Sequence, residues 1–286
     1  MADSTNSLAI ATLIIYLILI QPVLYCLWKH SKRGFLGYFL LNSFCLLRII
    51  GSAVVIHADA THTTNKNTLL INSIGLSPLL LACAGVLHEA RRARNPKLAS
   101  RLESFLVIQY HLLVSASLAL IIVGVVNLES GKTATPASTV LKAGAAVLAL
   151  SWILLFLWTI MSMGSFQRDI NAPAYADGSK LLYGVVVALP FMALRLAYGV
   201  TSLMLELDHS SSTFLTSVPI KVILSVVPEI FVTIALVGVG IMTRNINRVV
   251  AGGYKRAGVG EGFQMGAQRE QGLASKGRMT ERVNER

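Results

Sequence analysis

Three charged residues stand deep inside apolar stretches of the chain. Arg48 lies in Leu46-Leu47-Arg48-Ile49, Arg195 in Ala193-Leu194-Arg195-Leu196, and Glu229 in Ser225-Val226-Val227-Pro228-Glu229-Ile230-Phe231. A charge in the middle of a membrane-length apolar segment is costly, so it turns toward a protein interior or a wet cavity and takes a partner. A guanidinium is a planar fork that fits carboxylate and phosphate oxygens. Two cations and one anion leave one positive charge uncompensated. That charge calls for a carbonyl, a water-filled pocket or an anionic ligand such as a carboxylate or phosphate. The plainer alternative is a cluster that fixes helix register and orientation and binds nothing.

The composition says what kind of element must hold these residues. Hydrophobic residues make up 54% of the chain and charged residues 14%, with a mean hydropathy of +0.63. A soluble domain has about a quarter of its residues charged. Seven segments reach the length of about 20 apolar residues that a membrane helix needs. They are Leu8–Trp28, Gly34–His57, Thr68–Ala90, Leu102–Val126, Thr139–Met163, Leu181–Leu205 and Phe214–Met242. The runs are continuously apolar, whereas barrel strands alternate, so the predicted fold is all-α and polytopic. With a rise of about 1.5 Å per residue, Arg48 and Arg195 each lie about 21 Å from the start of their segments, and Glu229 about 20 Å from the end of its own. The three therefore share one level.

Orientation follows from Lys and Arg. Nineteen of the 25 fall in connections on one side or in the tail, and only Lys66 and Lys132 fall on the other. The N-terminus is expected outside and the C-terminus in the cytosol. The net charge of +11 is mostly this signal, and no nucleic-acid motif accompanies it. The expected organisation is a short extracellular N-terminus (1–7), a seven-helix domain (8–245), and a basic, disordered cytosolic tail (246–286). Arg48 and Arg195, and Pro78 and Pro228, recur at similar offsets. This suggests a parallel repeat of three helices, one linker helix and three more.

Pro78, Pro190 and Pro228 are expected helix breaks that free backbone carbonyls near the charged level. Gln109-Tyr110-His111 is a secondary polar group, expected to bond neighbouring helices. Glu89, beside Arg91 and Arg92, reads as a surface salt bridge at the cytosolic interface. Lys221 lies near the outer end of its helix, where snorkelling explains it better than a retinal linkage. His57, Asp59 and His62, with Glu206, Asp208 and His209, supply metal-ligand types on the outer face. Their spacing fits no zinc motif, so no metal is expected. No phosphate loop, dinucleotide fingerprint or nucleophile elbow occurs. The expectation is a non-enzyme with no cofactor.

Three motifs carry a resemblance: Gly75-Leu76-Ser77-Pro78-Leu79-Leu80, Leu189-Pro190-Phe191 with Leu194-Arg195-Leu196 and Tyr198, and Pro228-Glu229-Ile230-Phe231-Val232 before Gly238. Over residues 8 to 245 the chain resembles a family of fungal seven-span membrane proteins of unknown function. Its architecture is also similar to the fungal lipid-stress group called resistance to aminocholesterol and to fungal receptor-like proteins. The resemblance implies a seven-helix fold and a fungal source, and no established activity. The function expected is a receptor-like ligand or stress sensor in the plasma membrane, with a small-molecule or lipid transporter as the alternative. Its expected partners are membrane lipids, a small anionic ligand and a cytosolic protein at the basic face.

Overall fold

Each continuous apolar run closes into a helix, because a chain without water to bond must satisfy its own backbone. In the computed structural model the described residues are 2–30, 34–61, 75–96, 101–129, 134–164, 169–207 and 217–250. They form α1 (Ala2–Lys29), α2 (Phe35–Ala60), α3 (Leu76–Arg94), α4 (Arg101–Glu129), α5 (Ala134–Met163), α6 (Tyr175–Leu207) and α7 (Val218–Met242). A π turn occupies Val222–Val226 of α7. There is no strand among the described residues.

Six of these helices, all except α3, are long and apolar enough to cross a membrane. Their outward faces are apolar too: Ile18, Ile50, Leu112 and Met161 are all more than half exposed. Exposed large aliphatics on every outer helix mark a protein embedded in lipid. The third predicted segment is only partly represented, since residues 68–74 of Thr68–Ala90 lie outside the described residues. What is described, α3, carries His88-Glu89-Ala90-Arg91-Arg92-Ala93-Arg94 in its second half, which lowers its hydropathy.

That composition makes sense from its position. Seventeen of the 19 residues of α3 are buried. It packs against α2, α6, α4 and α5, while α1–α2, α6–α7 and α7–α1 contacts close the outside. A helix buried on all sides needs protein partners for its charges, not lipid. Close approach is built in by glycine. A Cβ on Gly85 of α3 would lie 2.5 Å from the Cα of Gly37 in α2, so the two backbones touch there. The α4–α5 hairpin joins similarly, with the Ser117 hydroxyl donating to the Gly144 carbonyl at 2.9 Å.

Two expectations change. The helices paired by the predicted repeat occupy unlike places, with α3 central and α7 peripheral. The start of the predicted disordered tail is ordered: residues 246–250 form a short helix. Ile246 and Val250 are buried against the bundle, and Asn247 donates to the Lys29 carbonyl at 2.9 Å. Its apolar spacing of four residues gives it one face to bury. Residues 251–286 lie outside the described residues.

Candidate functional site

Arg48 stands twelve residues before the end of α2, Arg195 twelve before the end of α6, and Glu229 eleven after the start of α7. These ends share one side of the bundle, so the three meet at a common depth of about 17–18 Å. Arg195 Nε donates to Glu229 Oε1 at 2.5 Å, and Arg48 Nη2 donates to the same oxygen. All are buried: Glu229 is 1% exposed, Arg195 3% and Arg48 8%. Both arginines thus converge on one carboxylate oxygen.

Local structure explains how Glu229 is aimed. Pro228 has no N–H for the carbonyl four residues back, which removes one bond from the helical ladder of α7 at this point. The chain widens into the π turn at Val222–Val226 just before it, a feature common at functional sites. Beyond the proline the helix recovers, and Thr233 Oγ1 donates to the Glu229 carbonyl at 2.8 Å. On the other side, Arg48 lies over the Phe44 ring, 5.7 Å from its centroid. Phe44 in turn meets Tyr16 edge-on at 5.5 Å.

Sequence reasoning missed two members. Tyr16 is fully buried, its hydroxyl has no hydrogen-bond partner among the described residues, and all three charges act on it. Nothing in the sequence of α1 marks it. Lys221, read as a snorkelling residue, lies within electrostatic range of both arginines. The site is therefore more positive than the sequence count suggested.

A second ionic region surrounds the far half of α3. His30, fully buried, sets Nδ1 against Glu89 Oε1 at 2.7 Å and Nε2 against the Gly240 carbonyl at 2.9 Å. A neutral imidazole has one N–H; two acceptors call for the imidazolium. Burial works against that charge. The Glu89 hydrogen bond and charge, the Gly240 carbonyl and Asp177 outweigh it, and the His30 pKa is raised from 6.5. Gly240 is in the last turn of α7, where carbonyls lack helical partners, so His30 also caps that helix. Nearby, Arg91 Nε donates to Glu103 at 2.8 Å and Arg91 Nη1 to Ser162 Oγ at 2.7 Å, while Arg94 Nη1 donates to the Ser162 carbonyl at 2.5 Å.

Glu89 is the clearest correction. It was expected at the surface beside arginines, but it is 2% exposed and pairs with His30. The reason is the central place of α3.

The remaining predicted residues scatter. Gln109 is exposed on the outside of α4, and His111 bonds only the Val107 carbonyl of its own helix, at 2.7 Å. The buried residue between them, Tyr110, is the one that bonds across helices, to the Ser151 carbonyl at 3.1 Å. Neither Pro78 nor Pro190 breaks a helix. Pro78 sits in the first turn of α3, where a missing N–H is no loss. Pro190 lies within the continuous α6, beside an open apolar groove of 570 Å³ between α5 and α6. His57 and Asp59 are exposed, and no metal-binding group of three or more His, Cys, Asp or Glu occurs among the described residues. His62, Asp208 and His209 lie outside them, and the Glu206 side chain is not among those described.

No curated protein and no solved structure matches this chain. A family model does match, from residue 2 to residue 246, which takes in all seven helices and both ionic regions. The chain belongs to the family described as Domain of unknown function (DUF7702).

Proposed function

We propose that the protein is a seven-helix, receptor-like sensor of a small anionic ligand, with its N-terminus outside and its C-terminus in the cytosol. The observation that carries this is the unequal ionic cluster: Arg48 and Arg195 share one oxygen of Glu229 on three different helices. A purely structural ion pair gains most when its charges match. A surplus cation is stabilised when an anion arrives, and that differential interaction is what lets a ligand shift a conformational equilibrium. Because α2, α6 and α7 each contribute one charge, an anion that draws an arginine from Glu229 changes how these helices are held together. The asymmetry of Lys and Arg supports the orientation. The reading is non-enzymatic and places the protein in the plasma membrane. Membrane lipid surrounds it, and a cytosolic partner meets the basic face.

A transporter of the same anion is the second reading. It is favoured by the π turn beside Glu229, where α7 can change register. Two-sided cysteine labelling separates the two. Cys26, Cys45 and Cys83 are first replaced. Cysteine is then placed at Ser52 and Ser225, one turn from Arg48 and Glu229, and at Ser202 near Arg195. Labelling by a charged thiol reagent from outside only supports the receptor. Labelling from both sides, shifting with conditions, supports the transporter. No labelling from either side removes both.

A further inference from the structure

We infer that the anionic group of the ligand is an oxoanion, a carboxylate or phosphate, and that it sits at the N-terminus of α3 between Arg48 and Ser77. This rests on the reading above, and it names the part of the cluster that does the binding.

Through Nη2 the guanidinium of Arg48 holds Glu229. It also lies against the start of α3: a Cβ placed on Gly75 would stand 3.3 Å from Nε, Cζ and Nη2 alike. Gly75 directly precedes α3, and no side chain caps the helix there. The first N–H groups of a helix have no acceptor within it, and the helix dipole adds a partial positive charge. A cation at that place is unfavourable by itself. Arg48 nevertheless lies there, 8% exposed, and its Nε has no hydrogen-bond partner among the described residues.

A second orphan donor belongs to the same first turn. Ser77 is 1% exposed and its hydroxyl has no partner among the described residues. Buried donors without acceptors are rare and costly. Here the guanidinium Nε, the hydroxyl and the helix terminus are all donor in character, with no carboxylate among them. One oxoanion would satisfy all three, since its several lone pairs accept several hydrogen bonds. Helix N-termini bind such groups elsewhere for the same reason. Gly75 lets the guanidinium lie close to the helix start, because any side chain there would press on it.

The arrangement also connects binding to conformation. An anion on Nε draws on the same guanidinium that restrains Glu229 through Nη2. Occupancy at α3 is thus felt on α7 through one side chain of α2.

The test uses the full chain in phosphatidylcholine nanodiscs, in chloride buffer. Three probes are titrated: laurate, inorganic phosphate, and phosphatidate in graded fractions of the disc. The thermal unfolding midpoint gives the apparent affinity. The expected result is saturable stabilisation by at least one probe. Ser77→Ala should weaken that affinity about tenfold, as loss of a hydrogen bond to a charged group does. Gly75→Ala should weaken it too, by pressing on the Arg48 guanidinium. A response to laurate or phosphatidate alone assigns a lipid source, and a response to phosphate alone assigns a soluble one. The inference is overturned if no probe stabilises the wild-type protein, or if both variants respond with wild-type affinity. The cysteine labelling above decides the broader reading separately. Reachable cysteines with no oxoanion response sink this seat only, and unreachable ones sink both.

Discussion

The two ionic regions of this bundle use similar side chains to opposite ends. Around the far half of α3, charges are matched: His30 with Glu89, and Arg91 with Glu103. Arg94, a cation there without a carboxylate of its own, donates Nη1 to the Ser162 carbonyl, while its Nε and one oxygen each of Glu89 and Glu103 have no hydrogen-bond partner among the described residues. Glycines bring the backbones together, so the pairs are locked. Around Glu229, two arginines hold one oxygen, a third cation stands within range, and buried donors at Arg48, Tyr16 and Ser77 go unsatisfied. The difference teaches that burial of charge is not itself a sign of function. A matched and capped pair holds helices in place, whereas an unmatched one is left ready for something else.

The largest effect should come from the carboxylate that both arginines share. Glu229→Gln should cost about 3–5 kcal/mol, because it leaves buried cations unpaired. Adding Arg195→Gln should recover part of the loss, as read from denaturant unfolding of the four corners of the cycle. Strictly additive losses would mean that the two side chains do not interact.

Next in size is the packing that locks the matched region. Gly85→Ala places a methyl group 2.5 Å from the Gly37 backbone, and no side chain can move to relieve it. It should lower stability by about 1–3 kcal/mol. A neutral result would show that α2 and α3 are not held as closely as described, and that the matched region is as loose as the other.

A smaller effect should be seen with pH. The folded His30 pKa is raised above 6.5, so its contribution to stability is complete below that value. It is lost as pH rises through the folded value, because the neutral ring can no longer donate to both Glu89 and Gly240. Tyr38, its ring tilted against His30 at 4.8 Å, and Asp177 also face this group. The unfolding midpoint of the wild type should therefore fall as pH rises above 6.5 and through the raised folded value, and that of His30→Gln should not follow it. Parallel curves would assign the pH response to another group.

The smallest effect is a control at the exposed edge of the matched region. Lys180 and Asp177 form a pair on α6, 3.1 Å apart, with the lysine half exposed. Lys180→Ala should change stability by about 0.5 kcal/mol or less. A larger loss would mean that charge pairs are strong everywhere in this protein, which would blunt the comparison.

Much of this organisation was legible in the chain. Continuous apolar runs mark helices without ambiguity, and a charge within such a run marks an inward face, so Arg48, Arg195 and Glu229 could be placed at one depth. The matched region was not legible. Glu89 sits among arginines in the sequence, and its true partner, His30, belongs to a different connection. Only the central position of α3 brings them together, and no local pattern encodes which helix is central. Tyr16 and Ser77 were hidden for a related reason. A hydroxyl in an apolar helix gives no sign of whether it bonds its own backbone, as Ser151 does at 2.8 Å, or is left without a partner. Pro190 misled because a membrane helix can carry a proline without interruption.

The central claim is that the cluster carries a cation it does not need for folding. The direct measurement is the unfolding midpoint of Arg48→Met, in delipidated protein and chloride buffer, beside the wild type. Removing Arg48 leaves Arg195 and Glu229 as a matched pair. The midpoint is predicted to stay level or rise. A fall as large as that of Glu229→Gln would contradict the account, because Arg48 would then be a structural partner like His30.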